Sequence, residues 1–263
     1  MNNSTARQWA MYSSHRQHIE KLITPASPGG RICVFGAGNC NDLDLHWLTQ
    51  VYSQSHLVDL DAGSLASAVD RQRPPKPASI CLWAPFDLSG IGDVLRNWRQ
   101  APPSDDQIGQ CIERIEQSST HHPRDKERFD LVLSPCVLSQ ILISARQSIG
   151  ATHRVYPKIR DALLAHHLKM AYRSIKPGGR CVIVIDLAST EEFGSTAGIE
   201  EDQLPDLMRS LIARKKCFNA LTPAALAQAA HQHLRITAPF FTAPWLWHLG
   251  LAKSFLVFAM VLS

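Results

Sequence analysis

The chain has 263 residues, with 27 Lys and Arg against 23 Asp and Glu and a formal net charge of +4. That length suits one large domain, or a domain with an insertion, and buries a substantial core; so mild a charge, without a dense Lys/Arg run, argues against a nucleic-acid surface. Seven cysteines, scattered and without a C-x-x-C pair, read as buried thiols in a reducing compartment rather than as a disulfide framework.

Residues 1–24 carry a rough apolar stripe of Trp9, Tyr12, Ile19, Leu22 and Ile23, which predicts a helix ended by P-A-S-P-G-G at 25–30. The apolar run 32–35 reads as a buried parallel strand. Gly36-Ala37-Gly38-Asn39 then turns the chain, and Asn41 or Asp42 is placed to cap a helix reaching about residue 51. A strand, a glycine turn and a helix together let backbone approach a ligand closely and offer it free N–H groups.

The second predicted strand, 55–61, ends in Asp59 and Asp61. Asp59 stands about 20 residues beyond the glycines, where a doubly wound fold places an acid on ribose hydroxyls; Asp61 reads equally as the cap of a helix over 62–69. A third strand over 78–83 leads into P-F-D-L-S-G, so Asp87 falls on the same sheet edge, with a plain turn aspartate as the other reading. P-P-S-D-D at 102–106 breaks the chain before a helix over 107–117, and 118–128 reads as a surface loop. His121 and His122 there are adjacent, and no Cys/His spacing suits a metal.

The fourth strand is predicted over 129–136 and helices over 137–148 and 156–175, the second stopped by K-P-G-G at 176–179. The fifth strand, 180–187, reads as continuously buried. Residues 191–220 are polar, with a helix near 204–213 and a lid-like loop, and a helix over 223–230 follows. Strands over 233–241 and 254–262 are expected to pair as an antiparallel hairpin at one sheet edge. No apolar signal region opens the chain, and 255–262 is too short to span a bilayer, so the expectation is a soluble cytoplasmic protein with no membrane partner.

The order of these motifs resembles the class I S-adenosylmethionine-dependent methyltransferases over roughly residues 31–263. V-F-G-A-G-N is similar to that family's first motif, L-V-D-L-D to its acidic second strand, and F-D-L-V-L-S-P-C to its fourth-strand motif. The K-P-G-G turn before V-I-V-I-D is the most specific single element. The resemblance implies a Rossmann-like, doubly wound α/β sheet of seven strands, mostly parallel with an antiparallel last strand and helices on both faces. Residues 1–30 would form a helical cap, and 31–263 the catalytic domain with polar insertions near 101–128 and 189–220.

The resemblance further implies S-adenosyl-L-methionine as cofactor, touched by Gly36, Ala37, Gly38 and Asn39, by Asp59 and Asp61 at the ribose, by Asp87 and Leu88 at the adenine, and by Ser134. The methyl acceptor, a small molecule, would lie over the fourth-strand edge under the first helix, against Tyr12, His15, Arg16, Cys136 and Gln140; each also has a plain packing or surface reading. Methyl transfer from a sulfonium needs proximity and alignment more than a triad, and none is found. Two departures stand out. Val34 occupies a place where the family often has an acid, and Ser134-Pro135-Cys136 lacks the Asn/Asp-Pro-Pro-aromatic pattern of enzymes acting on nucleic-acid bases or glutamine. A non-catalytic cofactor-binding or assembly protein on the same fold is therefore the alternative. A nicotinamide-dependent oxidoreductase ranks lower, because Asn41 stands where G-x-G-x-x-G needs glycine.

Overall fold

Side-chain alternation sets the architecture. In Arg31–Phe35 (β1), Ile32 and Val34 enter one face of a sheet while Cys33 and Phe35 enter the other, and all four are fully buried. The computed structural model describes residue 5 and residues 8–117, 128–150, 152–249 and 253–263; the loop expected to carry His121 and His122 lies outside them. Gln54–Val58 (β2), Ile80–Trp83 (β3), Phe129–Pro135 (β4) and Ile175–Ser189 (β5) join β1 in parallel, in the order β3-β2-β1-β4-β5. Two short strands, Phe240–Phe241 (β6) and Trp245–Leu249 (β7), precede Lys253–Leu262 (β8), which runs antiparallel to β5. Both short strands pair antiparallel with the outer edge of β8.

Helices cover both faces, as a doubly wound sheet requires. Ser13–Ile23 (α1), Leu45–Val51 (α2) and Ala62–Gln72 (α3) bury Ile19, Leu48 and Leu65 against the Ile32/Val34 face. Gly92–Trp98 (α4), Asp105–Gln117 (α5), Val137–Ile149 (α6) and Tyr156–Arg173 (α7) bury Leu95, Ile108, Leu142 and Leu163 on the opposite face. The short Thr190–Phe193 (α8), Leu204–Ala213 (α9) and Pro223–Leu234 (α10) complete that layer through Leu211 and Leu226. No helix among the described residues is long and apolar enough to cross a membrane.

Three expectations are corrected. The sheet has eight strands, because its outermost position is shared by β6 and β7. Pro244 has no N–H to give the ladder, and Thr242 Oγ1 instead accepts from Ala259 N at 2.9 Å. Of the strand expected over 233–241 only Phe240–Phe241 forms, as β6 paired with β8; 233–234 end α10, which closes at Arg235 in the left-handed region at φ 60°, 235–239 are irregular, and the hairpin is formed by β7 and β8. The cap of α2 is Asp44, whose carboxylate accepts from Trp47 N at 3.1 Å, rather than Asn41 or Asp42. A further turn, with Cys40 at φ 51°, consumes the intervening residues and sends Asp42 inward toward α1. The K-P-G-G turn survives within β5: Ile175 pairs with Phe129 and Arg180 with Leu131, so 176–179 loop out between them.

Candidate functional site

The loops that follow β1, β2 and β3 are tied to one another by backbone. Gly36 N and Ala37 N both donate to Val58 O, at 2.8 and 3.1 Å, and Asp59 N donates to Trp83 O at 3.2 Å. Gly36 sits at φ +69°, and a Cβ there would lie 2.5 Å from Val137 Cγ2, so both the conformation and the close approach of α6 demand glycine. Asp59 closes the turn from below. Its Oδ2 accepts from Gly38 N at 2.8 Å and its Oδ1 from Asp61 N at 2.9 Å. Burial pushes this carboxyl up, opposed by those N–H groups.

These three loops line one crevice of about 440 Å³, with Gly36, Asp59, Asp61 and Asp87 at its strand-tip end and Gln140 on α6. That volume lies within the range of small-molecule sites. Leu60, an apolar side chain 51% exposed, and Ile141 give it apolar walls, while Arg96 of α4 and Arg99, which follows that helix, stand at its side. The acids differ in what they already hold. Asp61 caps α3, accepting from Ser64 N at 3.0 Å and Ser64 Oγ at 2.7 Å. Asp87 accepts from Ser89 N, Ser89 Oγ and Gly92 N. A carboxylate offers about four lone pairs, so Asp59 keeps two and Asp87 one for a ligand. The buried Leu88 lines the same space.

The remaining residues singled out by sequence do not gather there. Ser134 is fully buried and its Oγ shares a 2.8 Å hydrogen bond with His167 Nε2 on α7. Asn39 is buried in the turn and its amide donates to Thr5 Oγ1 at 3.0 Å. Tyr12, His15, Arg16 and Cys136 collect instead in a second, closed region between α1 and the tips of β4 and β5.

In that region Arg16 is structural: its Nη1 donates to Trp9 O at 2.9 Å and Asn41 O at 2.8 Å, with the guanidinium 3.7 Å over the Trp9 ring. His15 Nδ1 accepts from Trp245 Nε1 at 3.0 Å, which assigns its proton to Nε2, and the ring stacks on Trp247 at 4.6 Å. Its Nε2 points at Asp42 Oδ1 across 3.4 Å, too long for a well-formed hydrogen bond. Burial first, then His18 and Arg16, hold His15 down to about 3, so it is neutral; burial pushes Asp42 up to about 7 against the pull of Arg16. This contact is therefore not an ion pair at neutral pH.

Two further groups belong here that sequence reasoning did not select. Asp186, at the tip of β5, is only 6% exposed, and burial pushes it up to about 7. Ser139 faces its carboxyl without closing a geometric hydrogen bond, and Asp186 Oδ1 has no partner among the described residues. The Cys136 thiol, pushed well up by burial, lies in the field of both Asp186 and Asp42. A charged residue inside the apolar run V-I-V-I-D-L-A was the signal available for Asp186. Among the described residues no group of three His, Cys, Asp or Glu converges as a metal site would.

No protein-family model and no curated protein matches this chain. Solved structures are similar in the course of the chain. A TehB-like S-adenosylmethionine-dependent methyltransferase from Corynebacterium glutamicum is 13% identical, with 98% of this chain and 96% of that one covered and a TM-score of 0.44. A cyclopropane-fatty-acyl-phospholipid synthase-like protein from Lactobacillus casei is 16% identical, with 96% and 90% covered and a TM-score of 0.49. An O-methyltransferase family protein from Burkholderia thailandensis is 10% identical, with 98% of this chain but only 57% of its own length covered, at a TM-score of 0.45. At such identities activity does not travel with the course of the chain, and the residues must carry it.

Proposed function

We propose that this chain is an S-adenosylmethionine-dependent methyltransferase acting on a small-molecule acceptor, with the nucleoside seated in the crevice. The observation that carries the reading is the convergence of Gly36, Asp59 and Asp87 on one space of about 440 Å³. The residues present fit such a group. The Gly36 turn leaves no room for a Cβ, Asp59 keeps two free lone pairs, and Leu60, Leu88 and Ile141 supply apolar surface for a planar base.

When bound, the cofactor supplies a methyl group already activated on a cationic sulfur. Asp59 would accept hydrogen bonds from the ribose hydroxyls. Asp87 would take one from an exocyclic amine with its remaining lone pair, above the Leu88 side chain. The turn from Gly36 to Asn39 would bring backbone close to the amino-acid end. Asp61 serves mainly to cap α3, and we assign Ser134 to fixing His167 rather than to the cofactor. The chain's contribution to rate is then alignment and exclusion of water.

Calorimetry with S-adenosylmethionine and S-adenosylhomocysteine tests this directly. Saturable binding is expected, weakened by about 1.5–3 kcal/mol in Asp59→Ala through loss of a charge-assisted acceptor. Absence of both heat and a thermal shift at about 1 mM ligand would sink the reading. A shift with NAD(P) alone would give the crevice to a dinucleotide.

A further inference from the structure

Buried polar groups ordinarily find partners. Yet six buried polar atoms without a hydrogen bond among the described residues lie in the closed region between α1, α6 and the strand tips: His15 Nε2, Asn41 Oδ1, Asp42 Oδ1, Ser139 Oγ, Asp186 Oδ1 and the Nε1 of Trp247, whose ring stacks on His15. They belong to one connected cluster. His15 faces Asp42, Asn41 lies beside the Tyr12 hydroxyl, both carboxyls act on Cys136, Cys136 acts on Tyr12, and Ser139 faces Asp186. Backbone irregularity marks the same place. The β5–β8 register shifts between Asp186 and Ala188, and Cys136 stands at φ 53° where β4 passes into α6. A bulge of this kind re-aims a side chain beside a site.

The charge balance of the cluster is one-sided. Among the described residues no cation acts on Asp186, His15 is neutral, and the Arg16 guanidinium, which acts on Asp42, is hydrogen-bonded to two carbonyls. A carboxyl 6% exposed and without a counter-charge is costly to leave ionised. What relieves it is a ligand that brings N–H donors and positive charge. A nucleophile that must become an anion beside this carboxylate is disfavoured by repulsion; one that is neutral on attack and positive afterwards is favoured by it.

We infer that Asp186, supported by Ser139, receives the amine nitrogen of the methyl acceptor and takes its proton, so that the substrate class is a small primary or secondary amine. The inference rests on the function proposed above and names that function's acceptor. The step it assigns to this chain is a proton transfer. One N–H bond of the entering ammonium breaks, its electron pair stays on nitrogen as the nucleophilic lone pair, and the proton bonds to Asp186 Oδ1. The total charge is unchanged, and no co-reactant is needed.

The test presents wild type and Asp186→Asn with methyl-tritiated S-adenosylmethionine and an equimolar panel of primary and secondary amines, phenols, thiols and carboxylic acids. The affinity of each protein for S-adenosylhomocysteine and for 5′-methylthioadenosine, which lacks the amino-acid group, is measured in parallel by calorimetry. The expected result is label in N-methyl products with wild type, transfer lowered by about a hundredfold in Asp186→Asn, and S-adenosylhomocysteine affinity held within about threefold. Label only in esters, ethers or thioethers, no label in any amine while S-adenosylhomocysteine binds, or undiminished transfer by the variant would each overturn the inference. So would a fall of about tenfold or more in the variant's S-adenosylhomocysteine affinity with 5′-methylthioadenosine unchanged, since the carboxyl would then hold the cofactor's own ammonium. Wild type that binds no S-adenosylhomocysteine removes the parent reading, and this one with it. Loss of affinity for both ligands in the variant reports misfolding, and the wild-type product then decides.

Discussion

The crevice at the tips of β1 to β3 and the closed cluster at the tips of β4 and β5 are built on opposite terms. In the crevice every acid already holds backbone N–H groups: Asp59 from Gly38 and Asp61, Asp61 from Ser64, Asp87 from Ser89 and Gly92. Its carboxylates shape loops first and present spare lone pairs second. In the cluster Asp186 and Asp42 tie no loop to another among the described residues, and each keeps an oxygen without a hydrogen-bond partner there. Carboxylates satisfied within the chain hold their loops in place, whereas unsatisfied ones favour whatever group completes them.

The contrast can be broken most sharply at Gly36. Gly36→Val places a β-branched side chain at φ +69° and against Val137. Strain and overpacking together should cost about 2–4 kcal/mol of stability in urea denaturation and abolish cofactor binding by calorimetry. Should the variant bind normally, the crevice is not where backbone meets ligand.

The next effect is a pH dependence. Asp186 is raised by burial to about 7 in the folded protein from about 3.9 unfolded. Between those values the folded state binds the extra proton, so this group's contribution to stability falls as pH rises, by at most about 1.4 kcal/mol per pH unit. His15, held down to about 3, acts oppositely: its contribution is lost as pH falls below the ordinary histidine range. Asp186→Asn removes the first and leaves the second. Its Tm relative to wild type should therefore climb from about pH 4 to about pH 7 and then level off. A difference that is flat with pH would mean that Asp186 is ionised throughout.

Asp61→Ala sharpens the comparison inside the crevice. Loss of the α3 cap should cost about 1 kcal/mol of stability, with cofactor affinity reduced far less than in Asp59→Ala. The smallest effect is expected from Trp245→Phe, which removes the donor to His15 Nδ1. A loss of about 0.5–1.5 kcal/mol in stability, with unchanged affinity for S-adenosylhomocysteine, would separate the closed cluster from the crevice.

Much of the crevice was legible because its determinants are local. An apolar run, two glycines, and acids at strand ends carry their meaning within a few residues, and the predicted convergence of Gly36, Asp59 and Asp87 is what the structure shows. The helix over 204–213 was read with its bounds intact for the same reason. The closed cluster was half legible. Tyr12, His15 and Cys136 were placed together under the first helix, but Gln140 belongs to the crevice and Arg16 to backbone carbonyls. Asp42 looked like a cap because nothing in the sequence reveals that a turn at Cys40 comes first. The outer strands were misjudged because 233–241 alternates well enough to read as strand, while the packing that selects β7 comes from Trp245 and Trp247 burying against α1. Such preferences are tertiary, and propensity yields to them.

The His15–Trp245 link joins residues 230 positions apart. On a ribosome, the crevice, whose lining runs from Gly36 to Ser144, has all its parts in hand about a hundred residues before Trp245 emerges. The buried cluster must wait for Trp245 and Trp247. Synthesis proceeds from the N-terminus and domains assemble as their pieces arrive, so the nascent protein would assemble the crevice well before the buried cluster beside it.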